Sequence, residues 1–173
     1  STQLGYSKKW LAYPFGEFDL SLKAMLKEMG YIGLGQHSGG VGKLSDMQSL
    51  PRYPAAGHYA NLDTLRTKIN SLAMPVTAVR PHRYVMEVEE IIGEVQIDIF
   101  LDDITFNRIA CFFGADSLPV TQTATGFSIN IKNPFNSGRA RVNCTAPSVK
   151  ESDRFYWYSI PFFTPKPDGT YLD

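Results

Sequence analysis

The chain has 173 residues, 43% hydrophobic and 13% aromatic, with 17 Lys and Arg balanced by 17 Asp and Glu. Zero net charge argues against a nucleic-acid binder, which needs a basic face, and sparse, interspersed charge excludes disorder and a coiled coil. No apolar run reaches the roughly 18 residues of a membrane span, and Ser1 to Gly5 carries neither the charge nor the apolar stretch of a signal peptide.

In chain order, Trp10-Leu11-Ala12-Tyr13 reads as a first short strand. A helix follows, with Asp19 placed as its cap, Leu22, Met25, Leu26 and Met29 at helical spacing, and Gly30 as its stop. Tyr31-Ile32-Gly33-Leu34 and Ser49-Leu50-Pro51-Arg52-Tyr53 are two more strand candidates. A second helix is predicted from Leu62 to Leu72, capped by Asn61, with Leu62, Leu65, Ile69 and Leu72 on one face. Strands alternating with helices indicate a parallel sheet with covering helices. Two helices and three strands leave such a sheet with an open edge and an uncovered apolar face, so either it docks on the sandwich or, the preferred expectation, an upstream segment completes it.

Near Met74-Pro75 the pattern changes. Val95, Ile97, Ile99 and Leu101 alternate with polar or less buried positions, as do Phe127, Ile129 and Ile131, and then Ala140, Val142 and Cys144. Turn signals at 101–103, 114–117, 136–138 and 167–169 separate the runs, and six to eight short strands of this kind predict an antiparallel β-sandwich. The fold class expected is therefore α+β, with residues 1–74 a partial (β/α) barrel segment and residues 75–173 an antiparallel β-sandwich.

Cys111 and Cys144 lie 33 positions apart, each within a strand-like run. They are either two buried thiols or one disulfide. The disulfide is the expectation, and with it an oxidising compartment, periplasmic or extracellular. His37, His58 and His82 have no zinc-ligand spacing. Asp102-Asp103 reads as a solvated turn. Phe155-Tyr156-Trp157-Tyr158 sends Phe155 and Trp157 to one face and Tyr156 and Tyr158 to the other. One face must be core; the other is either core or an interface with the barrel part, or a platform on which a sugar ring stacks, and Trp157 and Tyr158 are the substrate-binding candidates.

Leu11-Ala12-Tyr13-Pro14-Phe15-Gly16-Glu17-Phe18, then Met29-Gly30-Tyr31-Ile32-Gly33-Leu34-Gly35-Gln36-His37-Ser38-Gly39 and Leu50-Pro51-Arg52-Tyr53, resemble the closing third of a NodB-homology polysaccharide deacetylase, carbohydrate esterase family four. Arg139 to Pro147, followed by Arg154 to Ser159, is similar to the β-domain appended to some bacterial members. The resemblance implies hydrolysis of N-acetyl groups from an amino-sugar polymer, with a divalent metal, zinc, held by an Asp and two His. In the family the metal polarises the amide carbonyl and activates water, while a backbone N–H helps hold the oxyanion. That N–H falls on Phe15, and His37 is the candidate general acid. Tyr13, Pro14, Gly16 and Glu17 form the substrate-binding turn around Phe15. The family's T-F-D-D and H-x-x-x-H segments are missing, Ala12 stands where an arginine usually opens the turn motif, and Leu34-Gly35-Gln36-His37 has one residue more than the family's L-x-H. Metal ligands are thus expected outside this chain, in the missing N-terminal part of the barrel, and this chain alone is expected to be inactive. The alternative is a non-catalytic carbohydrate-binding β-sandwich module.

Overall fold

The computed structural model describes residues 8–100 and 102–170; Ser1 to Gly5 and Leu101, named above, lie outside them. Strand β1 (Trp10–Ala12) pairs in parallel with β2 (Ile32–Leu34), with Ala12 opposite Leu34. Helix α1 (Leu20–Glu28) connects them, its start fixed by Asp19, whose carboxylate accepts from the Leu22 N–H at 2.7 Å. Of its apolar stripe only Leu26 is buried and Leu22 partly so; Met25 and Met29 are exposed.

The expected partial (β/α) barrel segment does not form. The third strand candidate contributes one bridge, Leu34 to Leu50, and its next donor, the Arg52 N–H, bonds the His37 carbonyl in the bend beyond β2 rather than extending the ladder. The second helix, α2 (Leu62–Ile69), is capped by Asn61 as expected but ends three residues early. Leu72 belongs instead to β3 (Ser71–Ala73), which pairs in parallel with the long strand β11 (Phe155–Thr164). The apolar face of α2 covers no sheet: Leu62 is 81% exposed, and Leu65 and Ile69 are also open. Among the described residues the chain is β-rich, with three sheets, two short α-helices and no closed barrel.

The two larger sheets form a sandwich. One contains β4 (Val76–Arg80), β5 (Gly93–Ile99), β9 (Gly126–Ile131) and β8 (Val120–Gln122), in that order across the sheet. The other runs β3-β11-β10-β6-β7, with β10 at Gly138–Pro147, β6 at Ala110–Phe113 and β7 at Asp116–Leu118. Val95, Ile97, Phe127 and Ile129 from the first sheet meet Val142, Cys144, Ile160 and Phe162 from the second in one core. These are the alternating positions expected from the sequence, and full burial of each aliphatic or Phe side chain contributes about 1.5–3 kcal/mol. Cys111 and Cys144 stand directly opposite each other on β6 and β10 and form a disulfide.

β11 joins the two regions. Ile160 and Phe162 face the sandwich core, whereas Phe163 turns the other way and packs with Tyr13, Phe18 and Leu26. This explains the unbroken apolar run at its end, since a strand buried on both faces has no polar side to show. Among the described residues no helix is long and apolar enough to cross a membrane.

Candidate functional site

β1 leads straight into the turn Tyr13-Pro14-Phe15-Gly16. The Gly16 N–H donates to the Tyr13 carbonyl at 2.9 Å, and the Glu17 N–H to that of Pro14 at 3.1 Å. Proline presets the second turn position, and the third then adopts a left-handed conformation, φ 53° and ψ 6°. That position normally takes Gly or Asn; a Phe there costs about 1–2 kcal/mol. The ring is 51% exposed, so the strain is not offset by core burial, and the Phe15 N–H has no acceptor among the described residues. Backbone strain at the end of a parallel strand is a recurring sign of a functional turn.

Two neighbours hold this turn. Gly16 lies against the end of β2 so closely that a Cβ on it would sit 2.6–2.8 Å from Gln36 atoms, which only glycine permits. From the sandwich, Arg139 at the start of β10 places its guanidinium 4.9 Å from the Phe15 ring centroid and donates through Nε to Glu17 at 2.6 Å. A planar cation stacked on an aromatic ring while bonded to a carboxylate is a geometry lysine does not reproduce.

Other predicted residues are placed differently. Tyr13 is 1% exposed; its ring packs on Phe18 and its hydroxyl donates to the Gln48 carbonyl at 2.6 Å. Burial, then the Asp46 carboxylate, pushes its pKa up to about 12. Pro14 is exposed, and Glu17 is partly buried and engaged by Arg139. His37 is 9% exposed and faces away from the turn, its ring folded over Gly35 and its Nδ1 without a partner. Burial, with Lys23 next, lowers its pKa to about 4, against the pull of the Ser49 backbone. The structure therefore brings Gln36, not His37, to the Phe15 turn.

A cavity of about 710 Å³ separates the loop after β2 from the sandwich, with His37, Asp46, Tyr84, Trp157 and Tyr158 among its walls. Beside it Lys23 on α1 is buried, its ammonium bonded to Asp46 at 2.5 Å and to the Tyr84 hydroxyl at 2.9 Å. Burial alone would raise the Asp46 pKa, but its bond to Lys23 holds the carboxyl below its ordinary range. Trp157 is partly buried between Tyr53 and Phe155, at centroid distances of 5.4 and 6.1 Å, and its Nε1 donates to Ser159 at 3.2 Å. Tyr158 packs partly on the sandwich core, and burial moves its hydroxyl pKa upward. Trp157 therefore lies on the outer face and Tyr158 on the inner one.

Asp102 and Asp103 form the expected turn, with Asp102 exposed, but Asp103 is only partly exposed and is held by a network. Its carboxylate accepts from Ser148 Oγ, the Tyr156 hydroxyl and the Val149 and Lys150 N–H groups at 2.5–2.9 Å, and the Ser148 bond leads in holding its pKa down to about 2. Sequence reasoning missed this network because its partners lie about 45 positions away.

The described residues contain no group of three His, Cys, Asp or Glu able to hold a metal ion. They do not fit the Asp-His-His set that the resemblance implies, so no step is routed through a metal here. Comparison with protein-family models returns no match, and comparison with curated proteins returns none.

Proposed function

We propose that this chain is the substrate-holding part of a bacterial polysaccharide deacetylase that removes N-acetyl groups from an amino-sugar polymer, its zinc ligands carried by polypeptide outside these residues. The observation that carries the reading is the strained Pro14-Phe15-Gly16 turn at the end of a parallel strand, with the Phe15 N–H unengaged. Amide hydrolysis passes through a tetrahedral oxyanion, and a fixed backbone donor aimed at it is typically worth 10²–10³ in rate. Phe15, Pro14 and Gln36 are exposed around this turn. The Cys111–Cys144 disulfide supports export to an oxidising compartment.

A second reading, a non-catalytic carbohydrate-binding module, is favoured by the Tyr53-Trp157-Phe155 row on the outer face of β11. Acetate release from poly-N-acetylglucosamine by the full-length protein with added zinc separates the two. Release supports the deacetylase. Polymer binding without release, abolished by Trp157→Ala, replaces it with the module.

A further inference from the structure

We propose that Gln36 is the side chain through which the end of β2 grips the acetamido group of the substrate beside the Phe15 turn, and that His37 takes no part in proton transfer; this rests on the deacetylase reading. β2 ends at Leu34, and the chain bends at Gln36 and His37. Gly33, Gly35 and His37 face inward. A Cβ on Gly33 would lie 2.4 Å from the Gln48 carbonyl oxygen, and one on Gly35 would meet the His37 ring at 2.6 Å, so that side is filled. Leu34 stands opposite Ala12 in the sheet, and beyond it Gln36 lies against Gly16 of the turn. Ala12 and Gln36 are both exposed.

Gln36 packs its Cβ and Cγ against Gly16, which sets its carboxamide alongside the strained turn. The carboxamide has no partner among the described residues and offers one acceptor and two donor hydrogens. An acetamido group presents one carbonyl and one N–H, the complementary pair. Because a carboxamide does not titrate, it binds equally well across the working pH range. His37 lies behind Gly35 and Phe18, on the cavity wall and away from the Phe15 turn.

The test uses the full-length protein, an N-acetylglucosamine tetramer as probe, and the variants Gln36→Ala, Gln36→His and His37→Gln. Binding is read by calorimetry, and acetate release is followed as a function of pH. Loss of a paired hydrogen bond predicts about tenfold weaker binding for Gln36→Ala, while its exposed position keeps the melting temperature unchanged. Gln36→His is expected to add a limb to the pH profile near the ordinary imidazole pKa of about 6.5; His37→Gln is expected to keep the wild-type profile. Gln36→Ala binding like wild type, or loss of a pH limb in His37→Gln, overturns the inference while the deacetylase reading stands. A wild-type protein that neither binds the tetramer nor releases acetate sinks both.

Discussion

His37 makes acid lability a quantitative consequence of burial. In the unfolded chain its imidazole titrates near 6.5, whereas in the fold burial and the Lys23 charge bring it down to about 4, Arg141 adding to the effect and Asp46 opposing it. Between those values the unfolded chain holds a proton that the native ring refuses, so stability is full above about pH 6.5 and drains away as pH falls towards 4. With these two values the loss is about 2 kcal/mol at pH 5 and about 3 kcal/mol at pH 4. His37→Gln removes the titrating group and should flatten that slope, whatever it costs at neutral pH. Urea unfolding at pH 7.5 and pH 5.0, followed by tryptophan fluorescence, measures it. His82, whose pKa burial also lowers, and the carboxylates are common to both proteins and cancel in the comparison. A variant that loses as much stability as wild type between the two pH values would refute the burial argument.

Three further outcomes follow from the turn and the disulfide. At Phe15, Asn tolerates positive φ and a β-branched residue does not, so Phe15→Asn should unfold within about 0.5 kcal/mol of wild type and Phe15→Val about 1–2 kcal/mol earlier; equal urea midpoints for both would show the turn to be unstrained. Arg139→Ala should cost no more than about 1 kcal/mol overall, because the Glu17 pair is partly exposed. Amide hydrogen exchange at Phe15 and Gly16 should nevertheless quicken several-fold, and unchanged exchange would remove Arg139 as a brace. Cutting the Cys111–Cys144 link by paired Ala substitution should lower unfolding stability by about 3–4 kcal/mol, the chain-entropy value for a 33-residue loop; a loss below about 1 kcal/mol in urea would place the stability elsewhere.

The sandwich was legible because its strands alternate: Val95, Ile97, Ile99, Phe127, Ile129, Ile131, Val142 and Cys144 are buried where period two places them. Both helix starts were legible from their caps, Asp19 and Asn61, because N-capping is a local bond. The barrel was misread because helical periodicity does not say what an apolar face will meet. Leu62, Leu65 and Ile69 look like a core stripe and remain exposed. At the site, the turn was legible from Pro14 and Gly16, but Gln36 was missed. Histidine carries more chemistry than glutamine in a motif, and the two residues sit in a bend after β2, where only the packing of Gln36 on Gly16, twenty positions away, shows which of them meets the turn. Arg139 and Asp103 act across 122 and more than 40 positions, and no local pattern announces such pairs.

Whether the first region stands alone is decided by where its core comes from. Its buried cluster is Tyr13, Phe18, Leu26 and Phe163, with Tyr84 packed on it, and the last two come from beyond residue 75. Lys23 likewise satisfies part of its buried charge on Tyr84, and Glu17 is neutralised from β10. Without them the described part of residues 1–74 keeps Tyr13, Phe18, Leu26 and Leu50 buried around a two-stranded sheet, with Met74 belonging to the sandwich core, far less than a chain of that size needs to fold independently. Expressed alone, residues 1–74 should therefore show no cooperative thermal transition by circular dichroism. In the intact chain, Phe163→Ala should cost about 3–5 kcal/mol and lower one shared transition, whereas an exposed change such as Met25→Ala should stay within about 0.5 kcal/mol. A sharp melt from residues 1–74, or a Phe163→Ala protein whose two regions melt separately with the sandwich unaffected, would mean that the sandwich merely adjoins the turn, and bracing of Phe15 by Arg139 would lose its physical basis.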